Sequence, residues 1–400
     1  MPISLYIFRL FNLNTVFYLV KYFFKTIVKI LKSKWEIYLP VNKKILVYDK
    51  LWSSLILKFY KEDDIHILHC RGEKINLYIV FVCMMKGLFK ASDYYEQYIK
   101  KIKPKIIITF IDNAPMFWKL RRLTNIKTTF IQFGVKSHFR DVFGNKNLIS
   151  KKHNYKVDLM FVFNPSIGKK YNSFIKGKYI SIGSFRNNMI QITKNKKRKE
   201  ICFISTFRNI ESTKIISHDI TQGYYDKNLS FFLNWLKKYC LKNNLKINII
   251  GKNFGENGVQ EEKYYERFFF QNKYKYFRST NQYKKGTSIY NLTDKYKYVF
   301  TIDSTLGIEN LSRNGRTGFI GNMPNKYPLN TIKFGWNEKL KLNGPFWTSK
   351  NTYREFERVF DFVINGKESS WNKARKKLIN NVMAYDYGNK VFKKEIEKIL

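Results

Sequence analysis

The sequence predicts an α/β fold with two Rossmann-like domains, preceded by an amphipathic N-terminal helix. Short strand-type runs alternate with helical segments, and this pattern restarts after a basic stretch near residue 190. Several of the strand-type runs end in loops rich in Gly, Ser, Thr, Asn or Asp. A chain of 400 residues also exceeds what one hydrophobic core usually holds, which favours two domains.

The composition is that of a folded protein in a reducing compartment. Hydrophobic residues make up 44% of the chain and aromatic residues 18%, so large cores can form and extensive disorder is not expected. The four cysteines, Cys70, Cys83, Cys202 and Cys240, lie far apart without CxxC spacing. This spacing argues against a disulfide framework and against a zinc site, and we expect a cytoplasmic protein.

The net charge is +44, from 74 Lys and Arg against 30 Asp and Glu. Such a charge attracts anionic lipid, nucleic acid or phosphorylated substrates. Part of the positive charge is the lysine content that an AT-rich genome encodes at unconstrained positions. The compact basic tracts, at 194–199 and 375–377, are not interleaved with aromatic residues. We therefore do not expect a nucleic-acid-binding protein.

Residues 1–35 are predicted to form an amphipathic helix. Lys21, Lys25 and Lys29 recur every four residues, and apolar side chains occupy the other sides. The longest uncharged run, from Leu10 to Val20, has 11 residues, whereas a membrane-spanning helix needs about 20. The helix could lie at a membrane interface or pack on the protein's own core, and the sequence leaves both open.

An acceptor domain is predicted over residues 36–188. Its strand-type runs are 44–48, 65–68, 105–110, 128–132, 159–163 and 179–182, and its helical segments include 52–60, 75–88 and 94–101. The clearest strand, 105–110, ends in a loop that contains Asp112, where α/β sheets bind ligands. Residues 189–200 have the composition of a basic linker.

A nucleotide-sugar domain is predicted over residues 201–375, with closing helices over 376–400. Its strands are expected at 201–205, 247–250, 299–302 and 317–320, and its helices at 229–241 and 353–364; further helices are expected at 373–383 and 390–400. The stretch 298–321 reads as a strand, a hydroxyl-rich loop, a short helix and a second strand. The loop lies where free backbone N–H groups and the helix dipole favour an anion, although Asp303 or Ser304 could simply be a helix cap.

Several motifs are missing from the sequence. No GxGxxG follows a first strand and no P-loop is present, which argues against a dinucleotide oxidoreductase and an NTPase. The acidic pair Asp63-Asp64 precedes a strand instead of ending one, so a metal-dependent transferase is not expected. Two α/β halves joined by a linker instead describe a GT-B-like enzyme with a cleft.

Four segments together resemble a family of bacterial O-antigen and surface-carbohydrate biosynthesis proteins. They are KPKIIITFIDN (103–113), TTFIQFGVKSHFRDVF (128–143), KKYNSFIKGKYISIGSFRNN (169–188) and TIDSTLGIENLSRNG (301–315). The resemblance implies a GT-B-type fold, distantly similar to polyol-phosphate and sialic-acid polymerising transferases. Phe133 departs from the family pattern, in which a polar residue, often Asn, is expected.

In a transferase of this kind the carboxyl-terminal half holds the nucleotide-sugar donor. We expect the donor diphosphate on Ser304, Thr305 and the Gly307 backbone, with Glu309 toward the ribose. Three further donor-site candidates lie at strand ends of the same half: Ser205, Arg208 and Gly251. Arg208 could instead be one more basic surface residue, and Gly251 could simply be a turn glycine.

Sugar transfer also needs a base for the acceptor proton, and it should come from the amino-terminal half. The candidates are Asp112 and His138, with Asp141 three residues beyond the histidine and able to orient it. A lone histidine near a loop is more often structural than catalytic.

The sequence therefore predicts a metal-independent glycosyltransferase of O-antigen or capsule biosynthesis, peripheral at the inner face of the cytoplasmic membrane. Its substrates would be a nucleotide sugar and a lipid-linked saccharide, with no cofactor and with an anionic membrane surface as a partner. The alternatives are a polyol-phosphate transferase or nucleotide-sugar epimerase on the same fold, and a non-catalytic basic binding protein or scaffold.

Overall fold

The computed structural model describes residues 28, 31–136, 142–145, 147–193, 197–207, 215–217, 220–270, 274–278, 288–302, 304–320, 341 and 343–400. The chain forms two compact units, residues 1–129 with 399–400, and residues 130–398. Most of the predicted N-terminal helix, residues 1–35, lies outside the described residues.

The first unit is built on short parallel strands covered by helices. Its elements are β1 (Lys34–Glu36), β2 (Ile45–Val47), β3 (Ile65–Ile67), β4 (Lys74–Asn76), α1 (Leu77–Met85), α2 (Ala91–Ile102), β5 (Ile106–Thr109) and α3 (Pro115–Thr124). The strand order is β3-β2-β5, with Ile45 opposite both Ile65 and Ile106. Strands β2 and β5 are fully buried, which explains their continuous apolar runs.

Strand β6 (Lys127–Ile131) carries the chain from the first unit into the second. It is followed by β7 (Tyr155–Val162), α4 (Pro165–Asn172), β8 (Ile175–Ser181) and the short helix α5 (Phe185–Asn188). Strands β7 and β8 pair in parallel, with a register shift between Lys156 and Leu159. The chain leaves β8 into the loop 182–184, which leads to α5.

The rest of the second unit contains a six-stranded sheet. Its strands are β9 (Lys197–Ile204), β12 (Lys246–Ile250), β13 (Tyr274–Phe277), β14 (Tyr296–Thr301), β15 (Arg316–Ile320) and β16 (Trp347–Thr348), and a separate antiparallel pair is formed by β10 (Ile215–Ser217) and β11 (Ile220–Thr221). The helices are α6 (Gln222–Lys242), α7 (Glu256–Phe269), α8 (Ser288–Asp294), α9 (Thr305–Ser312), α10 (Tyr353–Ile364), α11 (Glu368–Val382) and α12 (Lys390–Glu397).

The strand order of this sheet is β13-β12-β9-β14-β15-β16, and every pair is parallel. Counted along the chain, this is the order 3-2-1-4-5-6 of doubly wound Rossmann sheets. Alternate residues of β9 enter separate cores: Ile201 and Phe203 belong to one hydrophobic cluster, and Cys202 and Ile204 to another. The predicted α/β class with Rossmann-like sheets is therefore confirmed.

The segment after α11 returns to the strands at the start of the second unit. The Ala384 N–H donates to the Phe163 carbonyl at 2.9 Å. In α12, the Phe392 ring lies 5.1 Å from that of Phe161 and 4.9 Å from that of Phe185, centroid to centroid. The last helix is thus part of the packing around β7.

Most predicted elements are present, and some are not. The helix predicted at 52–60 is wrong: only a 3₁₀ turn forms at Ser53–Leu55, and Trp52 has a φ of 64°. Residues 74–76, at the start of the helix predicted at 75–88, are a strand. Helices α3, α4, α5, α7 and α8 were not predicted. Strand β9 begins at Lys197, within the segment predicted as a linker; the predicted domain boundaries stay a prediction.

Candidate active site

The strand order of the sheet formed by β9 and β12–β16, here called the second sheet, reverses between β9 and β14. Doubly wound sheets have a ligand-binding crevice at such a point. Ser205 and Thr206 follow β9 and are buried, and Ser304 and Thr305 follow β14. The Thr301 hydroxyl connects the two strand ends, because it donates to the Ile204 carbonyl at 3.3 Å and accepts from the Ser304 N–H at 3.3 Å. Ligands of doubly wound folds bind at this switch point.

The first turn of α9 places two hydroxyl groups at this crevice. Ser304 is the N-cap, and its Oγ accepts from the Leu306 N–H at 3.3 Å. The Oγ1 of Thr305 accepts from the Val135 N–H at 3.3 Å, which joins α9 to the loop after β6. Both hydroxyls act as acceptors in these bonds, so each O–H can still donate to a ligand.

Gly307 is required by packing inside the second unit. A Cβ built on it would lie 2.5 Å from Thr301 Cγ2 and 3.3 Å from Phe319 Cε1. A side chain would therefore push α9 away from β14 and β15. The glycine lets the helix start close to the strand ends, which is how it serves the site.

Glu309 lies one turn into α9 and is fully buried. Its Oε1 accepts from the Ser184 hydroxyl at 2.5 Å and from the Tyr290 hydroxyl at 3.0 Å. Burial raises the pKa of the carboxyl above its ordinary value, and the Arg186 charge and the Ser184 hydroxyl offset part of this effect. The carboxylate predicted to face a ribose thus connects α9 to the loop after β8.

Arg186 in α5 is a cation beside these loops. Its guanidinium carbon lies 5.4 Å from the centre of the Phe133 ring and 5.8 Å from that of Tyr290. Both Nε and Nη2 lie 3.4 Å from the Tyr290 hydroxyl. Burial opposes the charge, but Tyr290 and Glu309 outweigh it and raise the pKa of Arg186, so the side chain is a cation at any physiological pH.

A buried ion pair lies beside Tyr290, which donates to Glu309. Arg313, at the end of α9, pairs with Asp294 through Nε at 3.0 Å and through Nη2. Its other donors bind the Ile190 carbonyl at 2.7 Å and the Gln191 carbonyl at 2.9 Å. Arg313 therefore fixes the chain that follows α5 to the end of α9.

The other predicted donor-site residues make contacts of their own. The Ser205 hydroxyl lies 2.8 Å from that of Tyr265 and accepts from the Phe207 N–H at 3.1 Å. The Gly251 N–H donates to the Phe277 carbonyl at 3.0 Å, and a Cβ there would collide with the Tyr276 hydroxyl. Ser205 stands at the switch point, whereas Gly251 lies one strand further along the sheet.

Sequence reasoning missed Glu261 of α7, which orders the loop after β12. Its two carboxylate oxygens accept from the backbone N–H groups of Lys252 at 2.9 Å and Asn253 at 2.7 Å. Ser184, Arg186 and Tyr290 were missed as well. A signal existed for the first two, because GSFRN at 183–187 follows a strand-type run; Tyr290 lies in a weakly patterned segment.

Asp112 belongs to the first unit. It is buried just beyond the end of β5. The order β3-β2-β5 changes direction between β2 and β5, so Asp112 lies at this switch point. A second buried carboxylate, Asp49, follows β2 and was not predicted. It accepts from the Leu51 N–H at 2.6 Å and pairs with Arg71 at 2.7 Å.

Arg208, His138 and Asp141 lie outside the described residues, and their roles stay predictions. Within the described part of the chain, no three His, Cys, Asp or Glu side chains are grouped as they would be to hold a metal ion. None of the described helices has the length and apolar character that crossing a membrane requires.

Residues 129–400 match a family model described as "putative O-antigen biosynthesis protein". No curated protein matches the chain. Among solved structures, the chain is similar to the wall teichoic acid polymerase TagF, at 11% identity over 90% of this chain and 89% of that chain, with a TM-score of 0.48. It is also similar to UDP-GlcNAc 2-epimerase from Methanocaldococcus jannaschii, at 10% identity over 92% and 99%, with a TM-score of 0.45.

A third similar structure is the GtfA/B complex, at 9% identity and a TM-score of 0.40. The match covers 78% of this chain but 61% of that one. Identities in this range carry no information on substrate.

Proposed function

The chain belongs to a family of O-antigen biosynthesis proteins, and from this premise we propose that it is a glycosyltransferase of surface-polysaccharide assembly. It transfers a sugar from a nucleotide-sugar donor to a lipid-linked acceptor at the inner face of the cytoplasmic membrane. The nucleotide sugar is a substrate, and the reaction uses neither a cofactor nor a metal ion.

The observation that supports a donor site best is the convergence of three loops at the switch point of the second sheet. The start of α9 offers the hydroxyls of Ser304 and Thr305 and the positive end of the helix dipole. The loop after β6 joins it through Val135, and the loop after β8 joins it through Ser184 and Glu309. A donor diphosphate fits this combination of N–H groups, hydroxyls and a nearby cation.

Arg186 supplies that cation in the proposal. A departing nucleoside diphosphate gains negative charge in the transition state, and a fixed guanidinium stabilises it more in a partly desolvated site than in water. The rings of Phe133 and Tyr290 hold the guanidinium in place. Phe133, which departs from the family pattern, thus has a positioning role.

Glu309 in this proposal is also a positioning residue. Its carboxylate holds the loop that carries Arg186, because Ser184 and Tyr290 both donate to it. In this proposal the base that takes the acceptor proton is Asp112, His138 or Asp141.

The test is a thermal-shift panel with UDP, GDP, CMP, CDP and their sugar conjugates. Wild type is compared with the pair Ser304→Ala/Thr305→Ala. Thr352→Ala is the matched control, because Thr352 caps α10 in the same way, with Oγ1 accepting from the Glu355 N–H at 3.4 Å, and lies outside the three loops.

We expect one nucleotide family to raise the melting midpoint of wild type and of Thr352→Ala but not of the double variant. The ligand that shifts the midpoint is then incubated with lipid-linked acceptor, and the product decides among sugar transfer, polyol-phosphate transfer and epimerisation. Absence of any shift in folded wild type at millimolar nucleotide would refute the donor site.

A further inference from the structure

Helix α1 of the first unit exposes an apolar face. None of its nine residues, LYIVFVCMM, is charged, and Ile79 and Cys83 are the buried ones. Phe81, Met84 and Met85 follow the spacing i, i+3, i+4, so they share the opposite face. Together with Phe89 just beyond the helix, these side chains are 60–84% exposed. A helix that is apolar on all sides is normally buried, so this exposure indicates a partner.

The exposed apolar surface continues beside the start of the helix. Ile37, Leu39 and Val41, in the segment after β1, are all exposed. Asn76 ties this segment to α1: its Nδ2 donates to the Tyr38 carbonyl at 2.9 Å, and its Oδ1 accepts from the Ile79 N–H at 3.1 Å to cap the helix. Two stretches far apart in sequence therefore expose apolar side chains in the same part of the unit.

Lysines flank both stretches. Lys86 follows Met85 directly and Lys90 follows Phe89, while Lys34 lies in β1, just before Ile37. Two carboxylates lie near these lysines: Glu36 pairs with Lys74 at 2.6 Å, and Asp93 accepts from the Lys90 backbone N–H at 3.1 Å. An apolar centre with basic margins is the pattern of a surface that enters the headgroup region of an anionic bilayer. A second copy of the chain would bring lysines against lysines, which is unfavourable.

We propose that the α1 face, formed by Phe81, Met84, Met85 and Phe89, docks the protein on an anionic membrane. The apolar side chains enter the lipid interface, and the flanking lysines contact anionic headgroups. This contact is made by residues of α1 and of the chain just beyond it. It rests on the proposed function, since a lipid-linked acceptor must be reached at a bilayer. Vesicle binding is measured without nucleotide, so its result does not depend on the donor site.

The experiment is co-sedimentation of the full chain with vesicles of phosphatidylethanolamine and phosphatidylglycerol (3:1), and with vesicles of phosphatidylcholine alone. Wild type is compared with Phe81→Ser/Met84→Ser/Met85→Ser at 0.1 M and 0.5 M salt. The control is Phe254→Ser/Phe270→Ser, which removes two phenylalanines of the second unit that are 50% and 65% exposed. Melting midpoints confirm that each variant is folded.

We expect wild type and the control to sediment with the anionic vesicles at both salt concentrations, because apolar insertion survives when charge attraction is screened. The triple variant should bind at least about tenfold more weakly at 0.5 M salt. Equal binding of the triple variant and wild type would overturn the proposal. So would wild type that stays in solution with both vesicle types, or a wild-type dimer that the triple substitution dissociates without a change in vesicle binding.

Discussion

The buried pair Arg313–Asp294 gives the sharpest test of how the second unit is held together. Both side chains are fully buried. Asp294→Asn keeps the shape of the side chain but removes its charge, so the Arg313 guanidinium stays buried without its counter-ion. Breaking one side of such a pair costs about 3–5 kcal/mol, because an uncompensated buried charge remains.

The measurement is urea denaturation of wild type and variant, followed by circular dichroism. With an m-value of about 3 kcal/mol/M, the loss corresponds to a fall in midpoint of about 1 M or more. The control is Glu395→Gln, which removes the more exposed pairs that Glu395 makes with Lys178, at 3.1 Å, and with Lys398. That change should cost less than about 1 kcal/mol.

The double replacement Arg313→Met/Asp294→Leu separates charge from packing. Removing both charges leaves no buried ion, so this variant should be more stable than Asp294→Asn alone, although it changes more atoms. The reasoning is refuted if Asp294→Asn destabilises no more than the control does. It is also refuted if the double variant is the less stable of the two.

Three further predictions concern the loops of the candidate site. Glu309 has a raised pKa, so its contribution to stability is complete below the ordinary pKa of a carboxyl and is lost as pH rises through the raised pKa. Wild type should therefore lose stability relative to Glu309→Gln when urea midpoints are followed from about pH 4 to pH 8. A difference between the two midpoints that stays constant with pH would contradict this. Gly183→Ala should lower the melting midpoint, because Gly183 has a φ of 75° and a Cβ would collide with the Ala384 carbonyl. The control is Gly87→Ala at an exposed glycine with a φ of 64° but no atom within 4 Å, and it should lower the midpoint less. Equal falls in the two midpoints would contradict the prediction. Arg186→Lys should weaken nucleoside diphosphate binding about tenfold or more while leaving the melting midpoint of the free protein nearly unchanged, and unaltered titration calorimetry would show that the guanidinium does not contact the ligand.

Local signals in the sequence were sufficient for much of the fold. The runs 105–110 and 247–250 are rich in β-branched residues and lie in buried parallel strands, where such runs are expected. Helix α10 spans Tyr353–Ile364 as predicted, because its apolar residues follow the helical period and Thr352 caps it. The hydroxyl-rich loop after β14 also lies between a strand and a helix, as its spacing indicated.

Other features depend on contacts that no local pattern encodes. The segment 52–60 has apolar residues at helical spacing, yet its buried side chains are accommodated by a 3₁₀ turn that starts from a left-handed residue. Glu309 meets Ser184 across 125 residues of sequence, so its burial could not be derived from its own surroundings. From the sequence alone, a carboxylate one turn into a helix is predicted to be exposed, because the partner segment is not known.

The return of the last segment to strand β7 has a consequence for how the polypeptide is made. Asn164 caps α4 through Ile167 and, with its Nδ2, donates to the Val382 carbonyl at 2.9 Å, 218 residues later. At a translation rate of about 5–20 residues per second, Val382 emerges roughly 10–40 s after Asn164. During that interval the nascent chain exposes the apolar surface that α12 later covers. A ribosome stalled at this stage would therefore hold an aggregation-prone intermediate that chaperones and proteases recognise.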